Sequence, residues 1–135
     1  MDAGADKKRI LIVDDEEKFA SMIKKNLEKA GPYEVHVETK AAQAVAAVKS
    51  FKPHLIILDV IMPDKRGPEI AVEIRQDEKM AKIPIVFLTA TAQKGQSELF
   101  GGLVGGAPFT IKPAISKPVS TPDLIKCIEA NLPKG

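Results

Sequence analysis

This chain has one cysteine, Cys127, in 135 residues. An intrachain disulfide framework is therefore excluded, and the lone thiol says nothing about compartment. No run approaches the roughly 18 apolar residues that a membrane-spanning helix needs. The polar start, Met1 to Lys8, lacks the apolar stretch of a signal peptide. Charge of one sign is also missing. Twenty basic residues stand against 18 acidic ones, a net charge of +2, too balanced to argue for nucleic-acid binding. What remains is the profile of one ordinary domain, 44% hydrophobic and 28% charged, expected in the cytoplasm and not at a membrane.

Apolar runs organise the chain. Ile10-Leu11-Ile12-Val13, Leu55-Ile56-Ile57-Leu58 and the segment Ile83 to Thr89 are short and uninterrupted, as strands buried on both faces read. Tyr33 to Glu38 alternates apolar and polar residues, which suits an edge strand with one wet face. A fifth strand is expected between Phe109 and Lys117. Helices are predicted over 16–30, with Phe19, Ile23 and Leu27 as the buried stripe, and over 41–51, burying Val45, Val48 and Phe51. A third begins after Gly67, and a fourth spans 93–104 with an end weakened by glycine. The last starts at Thr121-Pro122 and buries Leu124, Ile125, Ile128 and Leu132. Strands alternating with helices predict an α/β fold, a doubly wound five-stranded parallel sheet of order 2-1-3-4-5. Residues 9–132 form the expected domain. Residues 1–8 read as a disordered tail and 133–135 as a short C-terminal one.

Asp14 and Asp15 follow the first apolar run directly, and Asp59 follows the second. Acids at those ends emerge at the carboxyl edge of the sheet. In the predicted order they meet at the switch point between strands one and three, where such sheets bind ligands. Three converging carboxylates repel unless a cation neutralises them, and hard oxygen ligands suit Mg²⁺. Taken alone, Asp14-Asp15 reads as the acidic start of a helix. His36 and His54 read as structural or exposed, Cys127 as a packing residue or quiet thiol, and Met62-Pro63 as a turn. The clusters Lys7-Lys8-Arg9 and Lys24-Lys25 read as solvated charge.

Four segments in order resemble the receiver domain of two-component response regulators, CheY-like in fold, over about Lys8 to Leu132. They are Leu11 to Glu16 with its acidic pair, the D-x-x-M-P-x-x-x-G loop from Asp59 to Gly67, Ile85 to Ala90 ending strand four, and a Lys-Pro before the last helix. The resemblance implies phosphotransfer. A sensor histidine kinase or histidine phosphotransfer protein presents phosphohistidine, and Asp59 attacks as the nucleophile. Asp14, Asp15, Asp59 and the backbone carbonyl of Ile61 hold Mg²⁺, Thr89 donates its hydroxyl to the phosphoryl group, and a lysine pairs with it. The module is a signalling phosphoacceptor and not a turnover enzyme. It switches the face made by the predicted fourth helix, fifth strand and last helix toward a downstream protein target. A monomer or a phosphorylation-dependent dimer is expected, with no DNA binding by this chain.

The lysine has two candidates. Lys112 lies 23 residues after Thr89 and Lys117 lies 28. The shorter spacing fits the family better, and it would place Phe109 at the aromatic switch position. Lys117-Pro118, however, runs straight into the last helix at the family's usual distance, which makes Lys117 the candidate and puts Ala114 where the aromatic stands. Ile61 and Thr91 resemble the positions that tune phosphate lifetime. An apolar Ile61 orients no water, so slow autodephosphorylation is expected. A phosphatase of the haloacid-dehalogenase type is the alternative, disfavoured because Ile61 stands where that class carries its second aspartate. A flavin- or nucleotide-binding module is disfavoured too, because Asp14 to Glu17 replaces the glycine-rich phosphate loop. A degenerate receiver acting only through protein contact is a further alternative.

Overall fold

The computed structural model describes residues 7–60, 62, 67–89, 103, 104, 107, 108, 114–116 and 120–132. In chain order the elements are β1 (Lys8–Val13), α1 (Glu17–Ala30), β2 (Tyr33–Glu38), a 3₁₀ turn (Ala41–Gln43) leading into α2 (Ala44–Phe51), and β3 (Leu55–Asp59). They continue with α3 (Gly67–Gln76), β4 (Ile85–Thr89), β5 (Leu103–Val104), β6 (Ala107–Pro108), β7 (Ala114–Ser116) and α4 (Thr121–Asn131). The sheet runs β2-β1-β3-β4-β7 with every pairing parallel. This is the predicted 2-1-3-4-5 order, with β7 as the fifth strand.

The two faces of the sheet bury separate clusters, and the period of two along each strand decides which residue goes where. Leu11, Val13, Ile56, Leu58, Ile85 and Phe87 face α2 and α3. Ile10, Ile12, Leu55, Ile57, Val86 and Leu88 face α1 and α4. The central strands are apolar on both sides, and each such side chain contributes about 1.5–3 kcal/mol on burial. β2 alternates buried and exposed residues at its start, as an edge strand should. Ile23 and Leu27 of the α1 stripe are buried, with Ala20 beside them and Phe19 only half covered. Ser120 caps α4, its Oγ accepting from the Asp123 N–H at 3.3 Å, with Pro122 in the first turn.

Several expectations need correction. Leu103 and Val104, predicted to end a helix, instead pair antiparallel with Pro108 and Ala107. Only Gly105 and Gly106 separate the paired residues in sequence, a composition that suits a two-residue hairpin link and disfavours a helix. The rest of the predicted fourth helix lies outside the described residues. Lys8, assigned to the N-terminal tail, is the first residue of β1 and pairs with Tyr33. Met62 does more than mark a turn: its side chain is buried in the cluster beneath α2 and α3.

The basic clusters are not simply solvated either. The Arg9 Nε donates to the carbonyls of Phe51 at 3.2 Å and Lys52 at 2.9 Å, closing the C-terminal end of α2. Lys24 donates to the Val35 carbonyl at 3.0 Å and pairs with Glu28 at 3.2 Å. His54 is structural, its Nδ1 accepting from the Arg9 N–H at 2.9 Å. His36 is exposed and lies against Phe51 with ring centroids 5.4 Å apart. Among the described residues no helix is long and apolar enough to cross a membrane.

Candidate functional site

Register builds the site. Val13 of β1 pairs with Leu58 of β3, so the next residue on each strand, Asp14 and Asp59, leaves the sheet edge side by side. β1 and β3 are also the strands on either side of the switch point: β1 continues outward to β2, β3 outward to β4. Asp14 is fully buried and Asp59 is 4% exposed, while Asp15 is exposed. One carboxylate oxygen from each of the three lies within 4.8 Å of the others.

Local backbone explains how Asp14 reaches this position. Its N–H donates to the Glu38 carbonyl at 3.0 Å, which carries the β1 ladder one residue past the strand. Its Oδ1 accepts from the Glu16 N–H at 2.9 Å, an Asx turn that reverses the chain into α1. The helix-start reading and the ligand reading of Asp14-Asp15 are therefore compatible, since a carboxylate has further acceptor capacity.

Gly67, the first residue of α3, lies against the end of β3. The Val60 N–H donates to the Leu88 carbonyl and the Gly67 N–H to the Val60 carbonyl, each at 2.9 Å. Val60 and Met62 are both buried. A Cβ on Gly67 would collide with the Asp59 carbonyl oxygen, so the loop can close only on glycine. Sequence reasoning used Gly67 as a motif position and missed this contact. Thr89 ends β4; because Leu88 pairs with Asp59, Thr89 stands one residue further along the adjacent strand. Ile61, Thr91, Phe109, Lys112 and Lys117 lie outside the described residues. Ala114 begins β7 and pairs with Phe87.

Two unit charges about 4 Å apart repel by roughly 4 kcal/mol at an effective dielectric near 20, so three close carboxylates favour a bound cation. The donor set is all hard oxygen, with Asp15 open to solvent for the waters that Mg²⁺ retains. The residues present fit a hard divalent cation.

Residues 10–129 match the response regulator receiver domain family. Over 125 residues the chain is 38% identical to the phosphate regulon transcriptional regulatory protein PhoB of Pseudomonas aeruginosa, covering 93% of this chain and 52% of that protein. It is 36% identical over 106 residues to the alkaline phosphatase synthesis transcriptional regulatory protein PhoP of Bacillus subtilis, covering 78% of this chain and 42% of PhoP. The chain thus spans about half the length of the curated relatives it matches. The solved structure of Vibrio cholerae chemotaxis protein CheY4 superposes with a TM-score of 0.78 at 27% identity, over 93% of this chain and 99% of that one. A CheY-like receiver domain protein from Methanospirillum hungatei gives 0.74 at 29% identity, over 92% of each chain.

The chain belongs to the response regulator receiver domain family, the phosphoacceptor modules of two-component signalling. It is a signalling protein. Receiver domains of such systems work with histidine kinases and as a family bind Mg²⁺, which the acidic cluster here fits. Neither the dehalogenase-type phosphatase nor the degenerate receiver is favoured.

Proposed function

We propose that Asp59 is the phosphoryl acceptor of this receiver. The observation that supports it most is the register that sets Asp14 beside Asp59 at the switch point, within 4.8 Å of Asp15. Asp14, Asp15 and Asp59, with the backbone carbonyl of Ile61, would hold Mg²⁺, which supplies charge neutralisation where an anionic donor meets an anionic acceptor. An Asp59 carboxylate oxygen attacks the phosphorus of a phosphohistidine. The P–O bond forms as the P–N bond breaks, and the electron pair leaves on the imidazole nitrogen.

Thr89, at the end of the strand next to Asp59, donates its hydroxyl to a phosphoryl oxygen, and Lys117 pairs with another as a point charge. Phosphorylation turns one carboxylate charge into a group of about −1.5 to −2 with new acceptor oxygens. Drawing Thr89 inward moves the backbone that follows β4, so the change reaches the face formed with β7 and α4. A downstream protein, or a further histidine-bearing relay protein, reads that face. The receiver unit acts in the cytoplasm, with kinase and target as protein partners.

The test is incubation with Mg²⁺ and acetyl phosphate followed by intact mass. The expected result is a gain of one phosphoryl group that Asp59→Asn abolishes, with Lys117→Ala losing signalling competence and Lys112→Ala retaining it. No gain in the wild type, or an undiminished gain in Asp59→Asn, would overturn the proposal. Reversal of the two lysine variants would move the role to Lys112.

A further inference from the structure

The edge of the sheet opposite the acids carries a second concavity that phosphoryl acceptance does not use. It measures about 910 Å³ and lies where α2 ends, β3 begins, and residues 77–83 lead from α3 toward β4. His54 at this cleft immediately precedes β3, and Asp59 at the acids ends it, a span of roughly 17 Å at about 3.3 Å per residue, so the two sites lie at opposite ends of β3 and share no residue.

Its floor is apolar. Val48, Pro53 and Met80 are buried there, with Ile83 half-buried beside them. Its rim is cationic, with Arg9, Lys49, Lys52 and Lys79 against two acids, Asp77 and Glu78. Asp77 is already engaged locally, its Oδ1 accepting from the Lys79 N–H at 2.8 Å. Arg9 is fixed in place by its bonds to the Phe51 and Lys52 carbonyls, so a positive charge is anchored in the wall. Lys52 is held at φ 52°, a left-handed conformation in which a non-glycine residue is uncommon. His54 uses Nδ1 as an acceptor for the Arg9 N–H, which puts its proton on Nε2 and gives the wall a neutral N–H donor.

We propose that this cleft binds a small organic phosphate of mononucleotide size, the phosphate held by the lysine rim and the apolar ring laid on Pro53, Met80 and Ile83. The volume falls in the range of small-molecule pockets, roughly 300–1,000 Å³, and an apolar lining with a few convergent polar groups is the pattern such pockets share. A concave wall in which Arg9, Lys49, Lys52 and Lys79 outnumber Asp77 and Glu78 also favours an anion. The imidazole senses that charge: burial first, then the positive charges of Arg9 and Lys8, hold His54 below its usual pKa.

The test is a Mg²⁺-free NMR titration of the ¹⁵N-labelled chain with adenosine monophosphate, with inorganic phosphate and adenosine as separate arms. The expected result is saturable shifts confined to residues 48–54 and 77–83, weaker binding of phosphate or adenosine alone, and unchanged binding in Asp59→Asn. The variant Lys49→Glu/Lys79→Glu, both exposed positions, is expected to bind at least about tenfold more weakly while keeping its phosphoacceptor activity. Equal binding of adenosine or of inorganic phosphate, full affinity in the charge-reversed variant, or shifts centred on Asp14 and Asp59 would each overturn the proposal.

Discussion

Gly67 lies directly against the backbone of Asp59. A Cβ on it would collide with the Asp59 carbonyl oxygen and stand 3.1 Å from the Val60 Cα. The obstacle is backbone at the end of a buried strand, which cannot swing aside as a side-chain tip would. Gly67→Ala is expected to cost about 1–3 kcal/mol, the usual range for overpacking. It should also displace Asp59 enough to weaken Mg²⁺ binding. Urea unfolding with a parallel Mg²⁺ titration checks both, and a variant unchanged in both would show that the loop relaxes freely.

Asp15 is the most exposed of the three acids, so its replacement perturbs packing least. Without Mg²⁺, Asp15→Asn removes one repelling charge and should raise stability by on the order of 1 kcal/mol. With Mg²⁺, the order should reverse, because the wild type gains more from ligand binding than the variant does. Thermal melts of both proteins with and without Mg²⁺ decide it. The same sign of difference in both conditions would contradict a cation role for the cluster.

Val35 on the edge strand has both backbone groups occupied by α1. Its N–H donates to Glu28 Oε2 at 3.1 Å, and its carbonyl accepts from Lys24 at 3.0 Å. Partial burial works against the charged Glu28, yet the Val35 N–H, Lys24 and, further off, Lys7 hold its carboxyl below the ordinary value. An open edge strand invites pairing with another chain, and this clamp blocks it. Glu28→Ala is expected to cost about 1 kcal/mol, as loss of a typical hydrogen bond does, and to increase self-association at high concentration. Denaturant melts and sedimentation velocity measure the two effects.

His54 must be neutral at Nδ1 to accept the Arg9 N–H, and its folded pKa lies below the usual 6.5. The groups around it are Lys8 and Arg9 on β1, Lys49 and Lys52 at the end of α2, and Asp77, Glu78 and Lys79 beyond α3. As pH falls through 6.5 the unfolded chain takes up a proton that the folded chain resists, so stability declines until the folded pKa is passed. Above 6.5 the contribution is fully present. His54→Asn keeps an acceptor but cannot titrate, and its Tm should fall less than the wild type's between pH 7.5 and 5.5. Identical slopes would rule out His54 as the source.

The sequence by itself determined the strands of the parallel sheet, their order and the acids, but not the pairing of Leu103 and Val104 with Pro108 and Ala107. Ile10 to Val13 and Leu55 to Leu58 are apolar without interruption, which only strands covered on both faces tolerate, and Asp14 and Asp59 follow them by covalent connection. Those are local properties, readable one segment at a time, and the family resemblance supplied the roles. Tertiary structure decided what depends on distance between remote segments. Arg9 meets Phe51 across 42 residues and His54 across 45, and no periodicity encodes either contact. The need for glycine at 67 arises only because the chain returns over Asp59. Lys24 reads as solvated charge until α1 lies along β2 and brings it to the Val35 carbonyl. A run of side chains states what it must bury or expose, whereas close approach of backbone to backbone, or of a charged side chain to a distant carbonyl, exists only once the layers have packed.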